Sequence, residues 1–176
     1  METRNIPNLL SISRILLVPL IVYFFINKTD GLEFLAGILF IVASTTDWLD
    51  GYLARKFHAS SEAGGVLDLV ADKILVLVTL FFISIEYLNY TVTSLSCLIL
   101  IREIIILSIR STYGQKKTEV IFIGKLKTFF QMFAIVLLLM LDPVNQTEIF
   151  FLAEVVLMLS VIIGFLSLGA YLKKLK

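Results

Sequence analysis

Six apolar stretches run almost end to end through the 176-residue chain: Asn8–Ile26, Leu32–Lys56, Gly64–Ile85, Val92–Ile109, Gly124–Leu141 and Ile149–Leu172. Their lengths suit helices that rise about 1.5 Å per residue across a hydrocarbon core of about 30 Å. Only short connectors rich in polar and turn residues separate them, so no room is left for a soluble domain. Composition agrees: 59% of residues are hydrophobic and 16% charged, with a mean hydropathy of +0.96. A soluble domain carries about a quarter charged residues. The expectation is a single all-α membrane domain over residues 1–176 with six transmembrane helices. The polar start Met1–Asn8 and the lack of a small-residue cleavage site after the first apolar run give no sign of a cleavable signal. The lone cysteine, Cys97, excludes an intrachain disulfide.

Net charge is only +1 and points to no nucleic-acid partner, but its distribution is informative. Arg4, Arg55, Lys56, Arg110, Lys116, Lys117, Lys125, Lys127, Lys173, Lys174 and Lys176 fall on one side of the predicted spans. The opposite connectors hold Lys28 as their only basic residue, beside Asp30, Glu86, Asp142 and Glu148. Basic residues flank spans on the cytoplasmic side, so both termini are expected in the cytoplasm.

Arg14, Asp47, Asp50, Asp68, Asp72, Lys73, Arg102 and Glu103 lie inside the apolar stretches. Ionised groups there normally face a bundle interior or a wet cavity and carry function. Asp47 lies roughly 22 Å along the second helix, and Asp68 and Asp72 lie near the start of the third. Four carboxylates therefore reach similar depth in the cytoplasmic half. Asp47 and Asp50 are spaced i,i+3 and Asp68 and Asp72 i,i+4, so each pair shares a helix face. Four carboxylates cannot all stay ionised in a low-dielectric pocket; they take up protons or bind divalent cations. Two Mg²⁺ ions would balance them, and oxygen-only ligands suit Mg²⁺, Mn²⁺ or Ca²⁺ rather than zinc. Gly51 and Ala54 leave space beside such ions, and Arg55 supplies a forked donor suited to a diphosphate.

Written in full, the segment is Asp47-Trp-Leu-Asp50-Gly51-Tyr-Leu-Ala54-Arg55, eight residues, Gly64, three residues, Asp68, three residues, Asp72. It resembles, without departure, the D-x2-D-G-x2-A-R-x8-G-x3-D-x3-D motif of the CDP-alcohol phosphotransferases. The opening Asn5-Ile-Pro7-Asn8-Leu-Leu-Ser11-Ile-Ser-Arg14 resembles that family's N-terminal pattern, with Ser11 in place of a more usual threonine. Ile101-Arg102-Glu103-Ile104 with Ser108-Ile-Arg110, and Gly124-Lys125-Leu-Lys127-Thr128, look like the family's bacterial phosphatidylglycerophosphate-forming members.

The resemblance implies an integral membrane enzyme, a homodimer with a polar cavity on the cytoplasmic side, that moves a phosphatidyl group from CDP-diacylglycerol to an alcohol. Asp47, Asp50, Asp68 and Asp72 match metal-binding positions, and Asp72 also matches the general base. Gly51, Arg55 and Ser61 match contacts to the donor's CDP portion, with Asn8, Ser11, Ala54 and Gly64 expected around it. The acceptor expected is glycerol 3-phosphate, whose phosphate needs further cations. Arg102, Arg110, Lys125 and Lys127, on the cytoplasmic ends of spans four and five, are the candidates.

Plainer readings compete at several positions. Arg102 beside Glu103 also fits an intramembrane pair that locks a helix, and Lys125 and Lys127 also fit positive-inside anchors. His58 reads as solvated on its turn, and Trp48 and Tyr52 as packing or anchoring groups. An intramembrane prenyltransferase would carry two aspartate clusters on distant helices. An ion-coupled transporter would favour inverted repeats or broken helices, and neither is evident. Other acceptors, namely phosphatidylglycerol, inositol phosphate, serine or choline, would leave the donor motif unchanged.

Overall fold

The computed structural model describes residues 6–27, 32–56, 62–113, 122–140 and 147–175. Within them, only the helical backbone is described for residues 6–8, 32–33, 47–56, 62–63, 110–113, 122 and 174–175. The described residues form six helices: α1 (Ile6–Ile26), α2 (Leu32–Lys56), α3 (Glu62–Tyr87), α4 (Tyr90–Tyr113), α5 (Phe122–Met140) and α6 (Thr147–Leu175). No strand occurs among the described residues.

Large apolar side chains face outward along these helices: Leu16 is 70% exposed, Phe151 66% and Leu166 64%. In water such surfaces would associate; in lipid they are the solvated face. Among the described residues, four helices contain stretches long and apolar enough to cross a membrane, at Leu9–Ile26, Tyr90–Ile109, Ile123–Met140 and Thr147–Lys173. In α2 the apolar run is shorter, Phe34–Thr46, because the aspartate-bearing segment follows it. The first half of α3 carries Asp68, Asp72 and Lys73. Composition alone thus identifies four spans, and the two remaining helices are those that carry the motif.

Most helix bounds fall within about two residues of the apolar stretches, the usual uncertainty of helix ends. The exceptions are α4, which continues through Arg110 to Tyr113, and α6, which reaches Leu175. Polar end turns are good helix sequence without being apolar, so hydropathy stops short of them. Where α3 gives way to α4, only Leu88 and Asn89 intervene. Leu88 adopts a positive φ of 46°, the left-handed conformation that commonly ends a helix. Asn89 then caps α4, its Oδ1 accepting the Val92 backbone N–H at 3.0 Å.

The chain divides into two compact units, residues 1–82 with 139–141, and residues 83–138 with 142–176. In the first, Val18, Ile21 and Phe25 of α1, Ala36, Phe40 and Ala43 of α2, and Ala71, Leu75 and Leu80 of α3 are buried at helical spacing. Gly37 of α2 lies so close to Met140 that an added Cβ would run into that side chain. Just before the first aspartate, Ser44 donates to the Phe40 carbonyl, Thr45 to the Ile41 and Val42 carbonyls and Thr46 to the Ala43 carbonyl. Three polar residues are thereby satisfied by α2's own backbone.

In the second unit, Ile99 and Ile106 of α4, Ile135 and Leu138 of α5, and Leu157, Val161 and Leu168 of α6 are buried. Tyr87 donates its hydroxyl to the Leu138 carbonyl at 2.5 Å and packs edge-on against Phe150. Ser84 and Ser96 hydroxyls meet at 3.3 Å, joining the end of α3 to α4.

Candidate active site

The site begins on α1. Ser11 and Arg14 stand one turn apart on its buried face, and Arg14 is 0% exposed. A guanidinium cannot remain buried in an apolar helix without compensation. The compensation comes from α3, where Arg14 Nη1 donates to Asp68 Oδ1 at 3.1 Å and also to Asp72 Oδ1. Ser11 Oγ adds a longer bond of 3.4 Å to Asp68 Oδ1. The i,i+4 spacing puts both carboxylates on the α3 face that meets α1, as the sequence predicts. The two carboxylates are nonetheless 37% and 32% exposed. Arg14 thus holds the pair from inside the protein, while both side chains stay about a third exposed.

The other motif residues are placed by backbone only. The helix of α2 continues without a break through Asp47, Asp50, Gly51, Ala54 and Arg55, and Asn8 lies in the first turn of α1. The side chains of these six residues, and all of Ser61, lie outside the described residues. Gly64 sits half-buried in the first turn of α3. No group of three metal-ligating side chains forms among the described residues, since two of the four expected ligands have side chains beyond them. The two described ligands are open carboxylates, hard oxygen donors of the kind that Mg²⁺ and Mn²⁺ take.

A second charged cluster, in the other unit, changes the reading of two residues. Glu103 Oε1 accepts from Arg102 Nη1 at 2.6 Å and from Lys127 Nζ at 2.7 Å, and all three side chains are buried. Arg102 Nε also reaches the Gly164 carbonyl at 3.4 Å. A Cβ on Gly164 would stand 3.4 Å from Lys127 Cγ and 3.8 Å from Arg102 Nε, ordinary contact distances, so both cations pass close beside α6. The cavity lined by Arg102, Lys127, Ser160 and Gly164 measures about 10 Å³, room for about one water and not for a phosphate. Arg102 and Lys127, expected at the acceptor phosphate, share the Glu103 carboxylate between α4 and α5, the arrangement of the plainer alternative raised for Arg102. Of the remaining candidates, Lys125 is exposed on α5, and Arg110 lies on α4 with its side chain outside the described residues.

Sequence reasoning noticed Arg14 but gave it no part in the site. The available signal was a lone arginine three residues after Ser11 in an otherwise apolar helix, where a buried cation demands a carboxylate.

The sequence matches the CDP-alcohol phosphatidyltransferase family over residues 4–166, a range that includes the aspartate motif and residues of both units. Proteins of Escherichia coli and Shigella sonnei named CDP-diacylglycerol–glycerol-3-phosphate 3-phosphatidyltransferase are each 38% identical to the chain over 139 residues. The aligned part covers 77% of this chain and 76% of each relative. With the motif intact along α2 and α3, and two of its aspartates drawn together on α1, the chain belongs to the CDP-alcohol phosphatidyltransferase family.

Proposed function

We propose that this protein transfers the phosphatidyl group of CDP-diacylglycerol to glycerol 3-phosphate, giving phosphatidylglycerophosphate and CMP. The acceptor rests on the likeness to enzymes whose names specify glycerol 3-phosphate. The observation that carries the chemistry is the pair of α3 carboxylates, held together by Arg14 and about a third exposed.

Asp47, Asp50, Asp68 and Asp72 would hold two Mg²⁺ ions, or Mn²⁺ in their place. Bound there, the cations would neutralise the donor diphosphate and the charge that develops on the departing oxygen. Gly51, Ala54 and Gly64 give the nucleotide room, and Arg55 supplies a forked donor to the diphosphate, with Asn8, Ser11 and Ser61 nearby on the donor side. Arg110 and Lys125 take the phosphate of the acceptor. Asp72 accepts the proton of the acceptor's primary hydroxyl. The acceptor oxygen then bonds to the lipid-linked phosphorus, and the bond from that phosphorus to the bridging oxygen breaks. The electron pair leaves with CMP.

The reading also includes six membrane spans, a homodimer, and an active site and both termini on the cytoplasmic side, following the basic-residue asymmetry. A site at that depth lets the donor's chains stay in lipid while a water-borne acceptor arrives.

The deciding experiment incubates purified protein with CDP-diacylglycerol, Mg²⁺ and one acceptor at a time: glycerol 3-phosphate, phosphatidylglycerol, inositol phosphate or serine. CMP release with glycerol 3-phosphate and a matching phosphatidylglycerophosphate product is expected. Release with another acceptor alone would reassign the substrate, and release with none would remove the enzyme reading.

A further inference from the structure

Ser11 and Arg14 of α1, a helix with no part in the aspartate motif, reach two of its carboxylates. Both bonds from Arg14 leave the same nitrogen, Nη1, and both end on Oδ1 atoms. Asp68 and Asp72 stand four residues apart, so their Cα atoms are separated by about 6 Å along α3. One nitrogen can reach both only if the two carboxyl groups turn toward each other. Fixing one oxygen of a carboxylate also fixes the direction of the other, because the group is planar and no longer free to rotate. Ser11 Oγ, bonded to the same Oδ1 of Asp68, adds a second restraint one turn earlier on α1.

We propose that Arg14, assisted by Ser11, is the positioning residue of the metal centre: by taking Oδ1 of both Asp68 and Asp72, it sets the remaining carboxylate oxygens for divalent cations. The proposal rests on the metal-dependent reading given above. The opposite possibility is that Arg14 is a rival cation occupying the place a metal would take. Burial separates the two ideas. Arg14 is fully enclosed, whereas the carboxylates are about a third exposed. The guanidinium therefore lies on the protein side of the pair, away from the part of the two side chains that is exposed. Partners that orient metal ligands in this way generally carry a large part of the site's affinity.

The test is Mn²⁺ binding by the purified full-length protein in detergent, followed by the loss of free-ion electron paramagnetic resonance signal, with no lipid or acceptor present. Arg14→Gln should weaken Mn²⁺ binding about ten- to a hundredfold. Arg14→Lys should fall between that variant and the wild type, because an ammonium on a flexible stem keeps the charge but not the fixed donor directions of a guanidinium. Ser11→Ala should weaken binding measurably but less than Arg14→Lys. Thermal unfolding in metal-free buffer is measured alongside. A purely structural ion pair would lower the melting temperature and leave Mn²⁺ affinity unchanged, which overturns the proposal. Tighter Mn²⁺ binding by Arg14→Gln would also overturn it, by showing the guanidinium to be a competitor. Should Arg14→Gln not fold, unchanged affinity in both Arg14→Lys and Ser11→Ala has the same consequence. Wild-type protein that binds no Mn²⁺ would instead sink the metal reading itself, whereas wild-type binding with unaltered variants sinks only the role of Arg14.

Discussion

Asp68 and Asp72 share a helix face and a guanidinium, yet their expected roles differ, and so should the damage from changing them. Asp68→Asn removes a metal ligand and should abolish most turnover, with loss of donor binding. Asp72→Asn should lose turnover but keep more affinity for CDP-diacylglycerol, because its main role is to accept the proton rather than to hold the donor. Donor binding measured beside steady-state rates separates the two, and a near-normal Asp72→Asn rate at saturating Mg²⁺ would rule out the proposed base. The basic residues divide in a similar way. Arg110→Ala or Lys125→Ala should raise the KM for glycerol 3-phosphate while that for CDP-diacylglycerol barely moves. Loss of one charge-assisted hydrogen bond corresponds to about 1.5–3 kcal/mol, hence a rise on the order of ten- to a hundredfold. Lys127→Ala should act through stability, since its ammonium is committed to Glu103. Equal damage to both KM values in the Arg110 and Lys125 variants would point to a structural role for those residues too.

At the scale of helices, the buried group of Arg102, Glu103 and Lys127 joins α4 to α5 and leans on α6 at Gly164. Two cations around one carboxylate are tolerable only while the carboxylate is present. Glu103→Gln should therefore destabilise the protein by about 3–5 kcal/mol, read as a lower melting temperature in detergent. Adding Lys127→Met should recover part of that loss by removing one of the two uncompensated charges. A Glu103→Gln melting temperature equal to wild type would mean that the cluster contributes nothing to stability. The glycine gives a graded check: Gly164→Ala sits at the edge of ordinary contact with Lys127 Cγ, whereas Gly164→Leu must displace the lysine stem. The helices themselves were legible because apolar runs of membrane length leave few alternatives. Their polar ends were not, as Arg110 to Tyr113 shows by continuing α4 where hydropathy had ended. The partners of buried charges were harder still. Periodicity placed Asp68 and Asp72 on one face, but nothing in the sequence says that Arg14, more than fifty residues away, meets that face. The same holds for Lys127, which the sequence places at the cytoplasmic end of the fifth span without showing that it meets Glu103.

For the whole molecule, the basic-residue asymmetry gives a direct test. In a Cys97→Ser background, a cysteine placed in the turn between α2 and α3 should be shielded from an impermeant thiol reagent in intact cells. One placed at Asn145 should be labelled, and the reverse pattern would invert the orientation. The order of the buried charges along the chain also bears on how the protein is made. Synthesis from the N-terminus delivers Arg14 before Asp68 and Asp72, and Glu103 before Lys127. A lone charge near the centre of a helix costs about 2.5–3.5 kcal/mol to partition into a membrane, so a helix released with no counter-charge in place is poorly retained. Arg102 and Glu103 are adjacent, and α4 can leave the translocon as a locally neutral segment. When α5 follows with Lys127, the carboxylate it needs has already been delivered, and α3 likewise arrives after its arginine. Arg14 alone has to wait, and it lies only eight residues into α1, roughly 12 Å along the helix, within reach of headgroups for a long side chain. Charge pairing in the finished protein thus doubles as a timetable for its insertion.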